Sequence, residues 1–253
     1  MKQILRRSLR ILAPALIVFP LSTAAVAESF PDTQRDEIRD IVREYLLENP
    51  EIITEALNVL ELRQKQAEET ARVDALTSLE KQIFNSENQV VLGNPDGDVT
   101  LVEFFDYNCG FCKRAHQDMV TLMEADPNLR VVLKEFPVLG QGSVEAARVS
   151  VAVNELAPEK YEAFHLQLLL SPGQANQAKA IKTATDLGID QAALEAAIKG
   201  ERAAETIQEV YTIADALGLT GTPSYVVGKQ VVFGAVGAEQ LRESIAAARD
   251  GKS

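Results

Sequence analysis

The sequence predicts an α/β domain in which a block of helices interrupts a small sheet, preceded by a separate helical segment. Three observations carry this. "VTLVEFF" at 99–105 reads as a buried strand that runs into a helical repeat. Alanine-rich stretches of helical spacing fill about residues 141–217. Beyond them, "SYVVGKQVVF" reads as a hairpin followed by a last helix.

The chain opens with Lys2, Arg6, Arg7 and Arg10 and no acidic residue, followed by an apolar run over residues 11–26. Pro14 and Pro20 break that run, and it ends in Ala25-Val26-Ala27, with small residues at the two positions a signal peptidase reads. Residues 1–27 therefore read as an export signal, with Glu28 the first mature residue and the periplasm the expected destination. The alternative is an uncleaved anchor, but the run is shorter than the roughly 20 residues of a spanning helix. Removing the signal takes four of the 25 basic residues and none of the 37 acidic ones, leaving a net charge of −16. Without a basic stripe to offset it, that charge excludes a nucleic-acid partner.

Residues 28–88 read as a charged helical segment. Ile38, Ile41, Val42 and Tyr45 share one face, Pro50 breaks the helix, and Ile53, Leu57 and Leu60 follow, then Val73, Leu76, Leu79 and Ile83. Such a segment is too thin to make its own core. It is expected to pack on another chain, as an oligomerisation segment, or to lie along the catalytic domain of residues 89–253.

That domain contains both cysteines of the chain, Cys109 and Cys112, in "EFFDYNCGFCKRAH". A disulfide closing so short a loop removes little unfolded-state entropy, which makes stability a poor reason for it. Structural zinc needs more ligands than the pair plus His116 and His165 readily supplies. Reversible redox chemistry is the stronger reading. After Cys112, apolar residues at 115, 119, 122 and 123 have helical spacing, and Asn108 is placed to cap that helix. Cys109 then falls in the first turn, where unpaired N–H groups and the helix dipole favour a thiolate. Cys112, one turn on, is expected to be the buried resolving thiol.

The remaining elements follow in order. "NLRVVLKEFPVLG" at 128–140 supplies a second strand, helical stretches follow, Tyr225 to Val227 and Gln230 to Phe233 form the hairpin, and residues 239–249 the closing helix. Strand, redox helix, strand, helical block, hairpin and helix make a thioredoxin fold with a helical insertion.

Cys109-Gly-Phe-Cys112 after "EFFDYN", then "LKEFPVLG", then "GTPSYVVG" resemble the DsbA-like thiol–disulfide oxidoreductases over about residues 90–250. With the N-terminal helical segment the likeness is to the suppressor-of-copper-sensitivity protein C (ScsC) type, whose characterised members resemble disulfide isomerases. The resemblance implies that Pro223 is cis beside the cysteines and that the backbone of Thr222 pairs with a bound peptide. It also implies a threonine at 222 that tunes redox poise; a valine there, as in the strong oxidase of the family, is expected to move the site toward oxidase behaviour. Glu103 matches a buried carboxylate that shuttles protons to the inner cysteine, and Lys134 a lysine that pairs with it. Phe111 replaces the histidine of the strong oxidase, implying a weaker oxidant.

His116 reads as a solvent-facing residue one turn past Cys112, and His165 as a satisfied histidine of the helical insertion. The function expected is disulfide exchange in exported cysteine-containing proteins, as isomerase or reductase, with no cofactor beyond the Cys109–Cys112 pair. The partners expected are a membrane redox protein and two further copies of the chain in a homotrimer. The alternatives are a dithiol oxidase, a Cu(I)-binding protein using the two thiols, and a chaperone without redox function.

Overall fold

The computed structural model describes residues 31–251, so the expected export signal lies outside the described residues. Two compact units divide at Val59 and Leu60. In the first, helix α1 (Asp32–Glu48) gives way to α2 (Glu51–Ser78) around Pro50, as the proline requires. α1 buries none of its residues, and Ile38, Ile41, Val42, Tyr45 and Leu47 are all exposed.

The second unit starts within α2 and continues through α3 (Glu80–Phe84) into a five-stranded sheet. The strands are β1 (Val90–Gly93), β2 (Val99–Phe105), β3 (Leu129–Glu135), β4 (Ser224–Val227) and β5 (Gln230–Phe233), in the order β1-β3-β2-β4-β5. β2 and β3 run parallel and the other neighbours antiparallel. Helix α4 (Gly110–Ala125) makes the crossover from β2 to β3. It buries Cys112, Ala115, Met119 and Leu122, the stripe that the helical spacing predicts.

Five α-helices and one short 3-10 helix (Pro158–Lys160) separate β3 from β4, the α-helices being α5 (Gln141–Leu156), α6 (Tyr161–Leu170), α7 (Gln177–Asp186), α8 (Gln191–Lys199) and α9 (Glu201–Leu217). Helix α10 (Ala238–Arg249) closes the chain. This is the thioredoxin fold with a helical insertion, preceded by a helical segment.

Because side chains alternate along a strand, each strand serves two cores. Leu101, Phe105, Leu129, Val131, Leu133, Tyr225 and Val227 face the cluster that holds both cysteines and the insertion helices α5 to α8. Val102, Phe104, Val132 and Val226 face a second cluster, built with α9 and with Ala75, Leu76 and Ile83. Ala75 and Leu76 at the end of α2 and Ile83 of α3 are thus part of the second unit's own core. The exposed apolar residues of the N-terminal segment are concentrated before that stretch.

Candidate active site

The site is built where β2 passes into α4. Asp106 organises the turn: its carboxylate accepts the backbone N–H groups of Asn108 at 2.7 Å, Val138 at 2.9 Å and Leu139 at 3.0 Å. One buried side chain so ties the redox loop to the loop after β3. Asn108 was expected to cap α4, but the cap is Cys109 itself, whose sulfur accepts the N–H of Cys112 at 3.4 Å. Asn108 turns instead to the insertion: its Nδ2 donates to Ser143 Oγ at 2.9 Å and to the Ala175 carbonyl at 3.0 Å, while its Oδ1 accepts from Ala175 N at 2.7 Å. The physical reason is that an asparagine side chain reaches one residue too early here to meet the first free N–H groups of a helix that starts at Gly110.

Both cysteines are thiols, and both are buried. The Cys109 thiol is lowered to about 5. The neighbouring Cys112 thiol contributes most to this, against the opposing effect of burial; the Thr222 side chain and the backbone N–H groups of Cys112 and Phe111 add to it. Cys112 is moved the other way, well above its ordinary value, by its hydrogen bond to Cys109, by burial and by the charge of Glu103. When protonated, Cys109 donates its S–H to the Thr222 carbonyl at 3.1 Å. The Thr222–Pro223 bond is cis. A cleft of about 270 Å³ lies beside it, lined by Phe111, Thr220 to Ser224, Phe233, Gly234 and Ala235.

Glu103 lies on the cysteine side of β2. It is 5% exposed and receives the Tyr225 hydroxyl at 3.4 Å across the sheet. Burial pushes its carboxyl up to about 8, the Tyr225 hydrogen bond opposing and the charge of Cys109 adding. Lys134 does not pair with it, contrary to expectation. In the β2–β3 register Lys134 stands beside Phe104, while Glu103 stands beside Leu133, so the lysine projects from the opposite face of the sheet. There its Nζ donates to the Gln82 carbonyl at 2.6 Å and pairs with Glu209 at 3.4 Å. Burial lowers it to about 8, with Glu209 opposing. The structure brings Cys109, Cys112, Glu103, Thr222 and Pro223 together and leaves Lys134 outside.

His116 is half-buried rather than solvent-facing, with its ring 6.1 Å from that of His165. His165 is a satisfied core histidine, 3.2 Å from the Tyr107 hydroxyl, and burial first and then His116 lower it to about 3. Tyr107, two residues before Cys109, belongs to a hydrogen-bonded set that the sequence reading missed: Tyr107 to Ser150 at 2.8 Å, Ser150 to Tyr161 at 3.0 Å, Tyr161 to Glu135 at 3.1 Å. The only sequence signal for it was an acidic residue, Glu135, at the end of an apolar strand.

Two thiols one helical turn apart, with the first lowered and the second raised, on a thioredoxin sheet, define the class: a thiol–disulfide oxidoreductase. The comparison with known families carries this further. The DSBA-like thioredoxin domain matches residues 100–246, and the chain belongs to that family. Residues 34–67 match the copper resistance protein ScsC N-terminal domain.

A thioredoxin-like oxidoreductase from Silicibacter pomeroyi is 42% identical, covering 67% of this chain and 97% of that one, with a TM-score of 0.64. ScsC of Proteus mirabilis in a transitional conformation is 28% identical over 88% of this chain and 98% of that one, with a TM-score of 0.63. Among curated relatives, the thiol:disulfide interchange protein DsbL of Lelliottia amnigena is 27% identical over 55% of this chain and 72% of its own length. The Na(+)/H(+) antiporter NhaA 1 of Salinispora arenicola is 26% identical over 62% of this chain, which spans only 24% of that protein. No helix among the described residues is long and apolar enough to cross a membrane.

Proposed function

We propose that this protein is an exported disulfide isomerase or reductase in which Cys109 is the nucleophile and Cys112 the resolving thiol. The observation that carries the reading is the split between the two thiols: Cys109 is lowered to about 5 at the head of α4, whereas Cys112 is raised behind it. At neutral pH the Cys109 thiolate attacks one sulfur of a substrate disulfide. A mixed disulfide forms, and the other substrate sulfur leaves as a thiolate that takes a proton from solvent. In isomerisation a second substrate thiolate attacks the mixed disulfide and regenerates the Cys109 thiolate, with no net change in oxidation state. In reduction Cys112 loses its proton and attacks Cys109 Sγ; the Cys109–Cys112 disulfide forms, the bond to the substrate breaks and its second sulfur leaves as a thiolate, so the protein gives up two electrons and the substrate gains them.

Glu103 is the acceptor for the Cys112 proton. While Cys109 is a thiolate, its charge helps hold Glu103 protonated. Forming the mixed disulfide removes that charge, so the carboxyl ionises more readily just when a base is needed. Thr222 and Pro223 form the peptide-binding edge. The Cys109 thiolate present at neutral pH has no S–H to donate, so the Thr222 carbonyl is free to take a substrate N–H. Lys134, on the far face, is given a structural part.

Within residues 28–88, the part ahead of Leu60 is proposed to carry oligomerisation, a trimer being the form expected, while the end of α2 and Ile83 belong to the core of the second unit. The exposed apolar residues of α1 and early α2 and the match to the ScsC N-terminal domain support this. Export to the periplasm rests on the sequence of residues 1–27, and re-reduction of the pair requires a membrane redox partner.

The experiment is refolding of scrambled ribonuclease beside oxidation of reduced ribonuclease, with the full mature protein. Unscrambling that is lost in Cys109→Ser supports the reading. Oxidation without unscrambling replaces it with a dithiol oxidase. A second reading is Cu(I) binding, favoured by the copper-resistance family of the N-terminal match. The neighbouring Cys109 and Cys112 sulfurs are the soft pair such an ion takes, and binding there displaces the Cys112 proton.

A further inference from the structure

Over the residues between the two cysteines lies a positive charge, that of Arg114, which the redox chemistry does not use. Phe111 is 58% exposed. The guanidinium of Arg114 lies over its ring, 4.3 Å from the centroid, and one of its nitrogens stands 3.9 Å from where a Cβ on Gly110 would be. Arg114 therefore folds back over Gly110-Phe111 instead of forward to Asp118, the acid one turn on. Among the described residues it makes no ion pair and no hydrogen bond, and the residue is exposed, so its N–H donors are available to a partner. It is not among the causes that lower Cys109.

The other aromatic wall of the cleft is different. Arg72 covers Phe233 at 5.3 Å, but it donates to the Leu217 carbonyl at 3.1 Å and pairs with Glu69 at 2.8 Å. Glu68 and Asp215 line the hollow on that side. The charge of Arg72 is balanced within the chain, and the charge of Arg114 is not. In a protein of net charge −12, acidic partners are repelled at long range, and an uncompensated guanidinium beside the reactive pair reverses that locally.

Resting on the thiol–disulfide exchange reading, we propose that Arg114, stacked on Phe111, is a specificity-determining residue that makes the cleft prefer substrate segments with a carboxylate side chain near the reacting cysteine. The ring offers an apolar contact and fixes the guanidinium, and the fork takes a carboxylate in the bidentate geometry that lysine lacks.

The test uses the full mature protein in its oxidised form and three short peptides, each with a pair of cysteines that can close a disulfide, identical save for one residue next to the first cysteine: Glu, Gln or Lys. Each oxidation rate is divided by the rate of the same protein with a neutral dithiol. The Glu peptide is expected to exceed the Lys peptide about fivefold, through KM, which is the scale of one exposed ion pair. The ratio should fall toward one at about 1 M salt, where screening is nearly complete. Arg114→Gln is expected to abolish the ratio and Arg114→Lys to restore part of it, with the thiolate midpoint of Cys109 unmoved. Equal rates for the three peptides, a ratio that survives Arg114→Gln, or a midpoint that moves with it overturns the proposal. Failure to oxidise even the neutral dithiol strikes the exchange reading itself and takes the proposal with it.

Discussion

Replacing Thr222 by valine isolates one contribution to the Cys109 thiolate. The Thr222 side chain is among the causes that hold Cys109 at about 5, while the Cys112 thiol and two backbone N–H groups remain in the variant. A hydrogen bond to a charged group is worth about 1.5–3 kcal/mol, and one pKa unit is about 1.4 kcal/mol. Taking the lower end because other donors persist, the midpoint rises by about one unit, to about pH 6. At pH 5 the thiolate fraction then falls from about half to about one tenth, and alkylation by iodoacetamide slows about fivefold. At pH 7 it changes little. Cys112 stays silent in this range because its thiol is pushed up. A less favoured thiolate also makes the pair more reducing, by about 30 mV for 1.4 kcal/mol. The sign is opposite to the shift toward oxidase behaviour that family resemblance alone implies for valine. A midpoint that stays within about 0.2 units of wild type, or falls, refutes the role given to the hydroxyl.

Cys112→Ser should accumulate mixed disulfides with substrate proteins on non-reducing gels, and Cys109→Ser should form none; adducts through Cys112 alone would reverse the assignment. Glu103 is held up at about 8 from its ordinary 4.5, so between those pH values the folded chain keeps a proton that the unfolded chain has released, and stability falls as pH rises. Glu103→Gln should therefore gain stability across that window, on the order of 4 kcal/mol by pH 8; urea unfolding that shows the same gain at pH 5 and pH 8 contradicts this. Light scattering should find the mature chain a trimer and a chain starting at Leu60, which keeps Leu76 and Ile83 in the core, a monomer. Equal masses would remove the N-terminal segment from assembly.

The sequence was most readable where the physics is local. "VTLVEFF" forms β2 over residues 99–105, and the 115, 119, 122 spacing forms the buried stripe of α4. Pro50 breaks the leading helix where it stands. What escaped depends on register and long range. Whether Lys134 meets Glu103 turns on the alignment of β2 with β3, and a single residue of parity sends the two side chains to opposite faces. The exchange of capping between Asn108 and Cys109 turns on where the helix begins, to within one residue. β1 is only four residues long and has no alternation to announce it. The buried set from Tyr107 to Glu135 joins groups far apart in the chain, and nothing local in any of them signals the others.

The central claim is that Cys109 catalyses thiol–disulfide exchange, and turnover in insulin reduction by dithiothreitol tests it most directly. The mature protein should accelerate the precipitation of insulin chains well beyond dithiothreitol alone, and Cys109→Ser should return the rate to the uncatalysed one. No acceleration by the wild-type protein, or full acceleration by Cys109→Ser, would contradict the account.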